Sequence, residues 1–276
     1  MDTAFTPPVA TTFEALTAIV SAALYLIVGA AALIHARRDV RARVFFATAL
    51  ASAAPYSVTV LLWARGSGAT FTLPVTAGVG LSLMMGSLTL LHFTQVFPWR
   101  RPWIRAHGKW LFGGYVTVPV AVAGAAWLFT RTFGSVSDFG TVAAPGSGGL
   151  GAMLAGEPAL GLVLLLVVVP IVFVLGVVVP FAAAVSLYKT WLAAKAAGVE
   201  AARLTTLWIL ISQMAGGVLA ILIIPLLHLV APTGPWVTIA AVLLFAFGLL
   251  MPLAVAAGVW KYRVLELDPE SLPVGP

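Results

Sequence analysis

The sequence predicts an all-α integral membrane protein: a seven-transmembrane-helix bundle with its N-terminus outside and its C-terminus cytoplasmic. Three observations carry that expectation. The 276-residue chain is 61% hydrophobic and only 9% charged, with a mean hydropathy of +1.07, a balance outside the range of soluble globular domains. Its apolar residues gather into seven runs of about the 20 residues a helix needs to cross a hydrocarbon core. Its basic residues fall almost wholly in alternate connections between those runs, and basic loops are retained on the cytoplasmic side.

The runs are placed at Ala15 to Ile34, Val44 to Ala64, Phe71 to Phe97, Trp110 to Thr130, Ala159 to Tyr188, Leu204 to Val230 and Trp236 to Val259. Span one follows MDTAFTPPVATTFEAL, which lacks a basic n-region, so no cleavable signal peptide is expected. It ends at Arg37, Arg38, Arg41 and Arg43. Span two ends at Arg65, on the opposite side.

Span three ends in LHFTQVFPWRRPW. Pro98 cannot continue a regular helix, and tryptophan and arginine suit the headgroup layer, so this stretch stops the span and fixes its depth. Arg100, Arg101, Arg105 and Lys109 follow. Trp99, Trp103, Trp110 and Trp260 are expected to form an inner aromatic belt, with Trp63, Trp127 and Trp236 nearer the outer one.

Span four leads into an outer loop, 131–158, rich in Gly, Ser and Ala and expected to be a flexible connector. Span five contains Pro170 and Pro180, so a tilt or kink is expected, and Lys189, Lys195 and Arg203 follow it. Span six carries Gly216 and Gly217, which with Gly78, Gly80 and Gly86 of span three offer a close helix seam. Span seven ends at Lys261 and Arg263. Of the 15 basic residues only Arg65 and Arg131 fall outside, together with Asp2, Glu14, Asp138 and Glu157. The organisation is thus a transmembrane domain, 1–260, and a short cytoplasmic tail, 261–276.

Several chemistries are excluded by what the spans lack. Span seven holds no lysine for a retinal Schiff base, and every carboxylate lies at a span end or in a loop, which argues against a proton relay or ion-coupled transporter. No internal repeat supports an inverted-repeat transporter. The metalloprotease, P-loop, nucleophile-elbow and kinase phosphate motifs are absent. With no cysteine there is no thiolate site, and His35, beside the arginine cluster, is expected at the interface and not paired with His92 as a b-type haem requires. No enzyme activity, cofactor or metal is expected. The formal charge of +6 is topological, so the bilayer is the expected partner and nucleic acid is not.

Polar residues inside the spans are the candidates for function. His92 and Gln95 lie i, i+3 on span three, and Ser212 and Gln213 lie at comparable depth on span six. They are expected to form one polar network, either as interhelical glue or as a switch between two packings. On the outer side, Glu14, Arg65, Glu157 and His228 are candidate ligand-binding residues, or ordinary solvated helix ends.

Three stretches carry a family resemblance. LLHFTQVFP, AARLTTLWILISQMAGG and MPLAVAAGVWKYRVLELDPE resemble the end of the third helix, the linker into the sixth helix and the last helix of the seven-transmembrane sensor region N-terminal to bacterial histidine kinases. The resemblance implies a bacterial inner-membrane, multi-pass sensor that signals through its cytoplasmic face, with Tyr262, Arg263 and Asp268 as coupling residues. In that family a kinase or comparable module follows, whereas eight residues follow Asp268 here. The expectation is therefore a sensor lacking its own catalytic output, acting through a cytoplasmic or membrane protein partner. The alternatives are a structural or accessory subunit of a larger membrane complex, or a small-solute transporter.

Overall fold

The structure, a computed structural model, describes residues 12–65, 73–133, 169–223, 226 and 235–267. Among these residues all regular structure is helical, in seven rods. The first four are α1 (Thr12–His35), α2 (Val40–Arg65), α3 (Leu73–Val96) and α4 (Pro102–Phe133). α5 is one rod in three pieces: α-helical at Val169–Phe173, π-helical at Val174–Val178 and α-helical again at Val179–Ala196. α6 (Glu200–Val218) runs into a π turn at Leu219–Ile223, and α7 (Pro235–Ala256) into another at Ala257–Lys261. A 3₁₀ turn, Val264–Glu266, closes the described chain.

Among the described residues three stretches are long and apolar enough to cross a membrane: Ala15–His35, Val174–Ala196 and Val242–Lys261, with mean hydropathies of 2.3, 1.5 and 2.4. The rods are apolar outside as well as inside. Ile27, Phe112, Val120 and Phe181 are all at least 65% exposed, as helices in lipid require. The rods outlast the apolar runs where polar residues continue the helix: α4 begins at Pro102, and α5 continues past Tyr188 to Ala196.

The expected break in α5 takes the form of its π segment. Pro180 has no N–H to offer the carbonyl four residues back, and the neighbouring Val179 N–H bonds to Val174 O, five residues back. A wider turn absorbs the proline without ending the rod.

Neighbours in sequence pack on one another from α1 to α4 and from α5 to α7. α7 closes back on α1, and α3 also packs on α5. This arrangement gathers the α1–α2, α3–α4 and α5–α6 turns and the segment after α7 at one end of the bundle. The core runs towards that end through Phe45, Phe93, Phe97, Leu187, Ile209, Met251 and Val255 to Val264.

Two sequence expectations are corrected here. The glycines of α3 and α6 do not form a seam. A Cβ added at Gly78, Gly80 or Gly217 meets nothing within 4 Å, and at Gly86 or Gly216 it meets only ordinary contacts at 3.9 Å. The tight approaches lie elsewhere: a Cβ at Gly29 would stand 2.8 Å from Ala49 Cβ between α1 and α2, and one at Gly258 would stand 2.7 Å from Thr205 Cγ2 between α7 and α6. Trp99 is likewise no belt residue. It is 5% exposed and packs with Ala194, Ala202 and Leu267, because the turn after Pro98 folds back over the α5–α6 turn. Trp103, Trp110 and Trp260 are exposed as expected.

Candidate functional site

The most densely bonded group in the described chain is Arg41, in the first turn of α2 and 2% exposed. Its Nε donates to both Asp39 carboxylate oxygens, at 3.1 and 3.0 Å, and its Nη2 to Asp39 Oδ2 at 2.6 Å. The same Nη2 donates to Leu265 O at 2.6 Å. Nη1 donates to Pro98 O at 2.6 Å, Val264 O at 3.3 Å and Leu267 O at 3.2 Å. One side chain thus ties the α1–α2 turn, the α3–α4 turn and the segment after α7.

Local structure builds the acceptor side. The π turn ends with Tyr262 N–H bonded to Ala257 O at 3.0 Å. Arg263 then takes a left-handed conformation, φ 51°, which few non-glycine residues adopt, and this reversal sends Val264 back into the core at 0% exposure. The backbone carbonyls of Val264, Leu265 and Leu267 face Arg41, whose planar fork of donors suits several acceptors at once. Asp39 neutralises the buried charge and also accepts Arg41 N–H at 2.8 Å. Val264 is therefore held inside the bundle, with half-buried Leu265 and Leu267 against its end.

Beside this clasp, Ser186 of α5 forms a second node. Gln95 Nε2 donates to Ser186 Oγ at 3.0 Å, and Ser186 Oγ to Thr94 O at 3.3 Å. Arg101 Nη2 donates to Ser186 O at 2.7 Å and also to Thr190 Oγ1. Burial holds the Arg101 pKa below its usual value, yet arginine starts so high that the group stays charged. Arg101 N–H also bonds to Gln95 O at 2.9 Å, which fastens the turn to the end of α3.

A third constellation surrounds Pro252 of α7. Proline has no N–H, so the carbonyl four residues back, at Gly248, loses its helical partner. Tyr25 OH of α1 donates to that carbonyl at 3.0 Å. Ser212 Oγ of α6 donates to the adjacent Phe247 O at 2.7 Å, and Gln213 Nε2 donates to Met251 Sδ at 3.3 Å. Tyr25 of α1 thus satisfies the carbonyl that the proline leaves over, while α6 bonds the neighbouring Phe247 and Met251.

The expected single network of His92, Gln95, Ser212 and Gln213 is therefore corrected to four contacts with three different helices. His92 Nδ1 lies 3.1 Å from Tyr115 OH of α4, Gln95 reaches α5, and Ser212 and Gln213 reach α7. The reason is packing: α3 presents its main faces to α2, α4 and α5, while α6 sits between α5 and α7. Of the coupling residues, Tyr262 and Arg263 form the reversal, with the Arg263 side chain exposed, and Asp268 lies outside the described residues. Glu157 and His228 also lie outside them. Glu14 and Arg65 belong to the first turn of α1 and the last residue of α2, and their side chains are not among those described.

Arg41, Asp39, Ser186 and Tyr25 were missed as site residues. For Arg41 the available signal was a lone carboxylate inside an arginine cluster; for Ser186 it was the i, i+4 hydroxyl pair with Thr190; for Tyr25 it was the proline in span seven. No protein-family model, no curated protein and no solved structure matches the chain.

Proposed function

We propose that the chain is a multi-pass bacterial inner-membrane protein with seven spans and an outside N-terminus. Its function is that of a sensor-type bundle, which passes a change in helix packing to a protein partner at its cytoplasmic face. The charge pattern supports the orientation, because the clasp end carries the basic turns. The observation that carries the signalling reading is the Arg41 clasp. It joins the segment leaving α7 to the turns of two other helix pairs, so a shift in any of them changes the presentation of that segment. The Pro252 constellation supports it too, since side-chain bonds worth about 1 kcal/mol can bias two packings without locking either.

The test is a fusion of residues 1–276 to the catalytic module of a histidine kinase, read as phosphate transferred from ATP in membranes. Arg41→Gln should change the rate by about threefold or more, while Lys109→Gln, on the exposed side of α4, leaves it unchanged. Equal rates in both variants and the parent would count against the reading.

A second reading, an accessory subunit of a larger membrane complex, is favoured by α4. It packs chiefly on α3 and leaves Trp110 and Phe112 each 70% exposed, a face that a partner helix would cover. Purification in mild detergent separates the two, as a stoichiometric complex or a lone bundle.

A further inference from the structure

We propose that the cleft beside the Arg41 clasp binds a phosphate group carried by an anionic phospholipid, with Arg38 and Arg100 as its ligands. The cleft measures about 350 Å³ and opens between the α1–α2 turn, the α3–α4 turn and residues 265–267. That is room for a headgroup, not for one or two waters of about 30 Å³ each.

Its charge inventory leaves two cations over. Arg41 and Asp39 line the cleft but satisfy each other, and the Glu266 carboxylate, also in the lining, faces Arg263 outside it at 3.7 Å. Arg38 and Arg100 are exposed, approach from two different turns, and pair with no carboxylate among the described residues. Two guanidinium forks directed at one cleft suit the oxygens of a phosphate, which accept paired N–H donors. The remaining wall is half-buried aliphatic surface from Val40 and Leu265. Trp103 and Trp260 stand exposed at the same end, the level that aromatic residues occupy beside headgroups. A cleft with cationic rims and an aliphatic wall at that depth fits a lipid phosphate better than a free ion.

The lipid assignment rests on the cytoplasmic orientation proposed above, where basic residues near the surface meet anionic lipid. The full chain, purified in mild detergent, is titrated with phosphatidylglycerol, with phosphatidylcholine and with inorganic phosphate, and bound lipid is counted by native mass spectrometry. In detergent both faces are open, so this assay reads the site, while an error in orientation would show only in cysteine labelling of cells. Phosphatidylglycerol should bind at one molecule per chain and more tightly than phosphatidylcholine. Arg38→Gln and Arg100→Gln should each weaken it about fivefold, and the pair about 25-fold, as expected for surface charges near an anionic headgroup, whereas Lys109→Gln should leave it unchanged. Undiminished binding in the double variant, or equal losses with Lys109→Gln, would overturn the site. Full displacement of phosphatidylglycerol by millimolar inorganic phosphate would overturn the lipid assignment in favour of the free anion.

Discussion

Arg41 Nη2 donates to the Leu265 carbonyl at 2.6 Å, across 224 positions of sequence. A bond between the start of α2 and the segment beyond α7 closes the bundle at one end, and its cost when broken is set by burial. Removing the guanidinium leaves four backbone carbonyls without this donor and the Asp39 carboxylate without its cation. Breaking a buried charged pair costs about 3–5 kcal/mol. Arg41→Gln should therefore lower the thermal midpoint in mild detergent clearly, Arg41→Lys should recover only part of the loss because a point charge cannot reproduce the fork, and Lys109→Gln should stay within about 0.5 kcal/mol of the parent.

The bond from Tyr25 to Gly248 O exists because Pro252 cannot supply one. Tyr25→Phe alone should destabilise by about 1–2 kcal/mol, through the unpaired carbonyl. Pro252→Ala restores a helical N–H to the same acceptor, so Tyr25→Phe should cost much less in that background. A double-mutant cycle by thermal unfolding measures the coupling; additive losses would mean that the tyrosine does not answer the proline.

The glycines divide by the space around them. Gly258→Ala and Gly29→Ala place a methyl within 2.7 Å of Thr205 Cγ2 and 2.8 Å of Ala49 Cβ, and should cost about 1–3 kcal/mol as the helices move apart. Gly217→Ala, with nothing within 4 Å, should be neutral or stabilising by up to about 1 kcal/mol through helix propensity. The three unfolding midpoints decide it, and a destabilised Gly217→Ala would return the seam to α6.

The orientation can be read without any ligand. Because the chain has no native cysteine, Gly146→Cys and Ala106→Cys each report one position. The charge pattern predicts that an impermeant thiol reagent labels residue 146 in intact cells and residue 106 only after the membrane is opened. The reverse pattern would invert the topology.

The helical character was legible because hydrophobic runs are a local signal, and each described rod overlaps one of the runs. Their ends were less so. Pro102 to Lys109 is polar enough to read as a loop, yet it continues as the first turns of α4 beyond the apolar run. The site was harder, because partner choice depends on which helices face each other. Gln95 was visibly in need of a partner, but nothing in its own span indicates that α5, not α6, supplies it. Arg37, Arg38, Arg41 and Arg43 look equivalent as a cluster. Only the reversal at Arg263, which carries three carbonyls back over α2, singles out Arg41 for burial.

The central claim is that Arg41 holds the turn at Val264 inside the bundle, and thiol reactivity in detergent measures it most directly. Val264 is 0% exposed, while the Glu266 side chain two residues later is 61% exposed. Val264→Cys should react with a soluble maleimide at least about tenfold more slowly than Glu266→Cys, since reaction must wait for local opening. In the Arg41→Gln background that protection should largely disappear. Equal rates at the two positions in the parent chain, or protection at 264 that survives Arg41→Gln undiminished, would contradict the clasp.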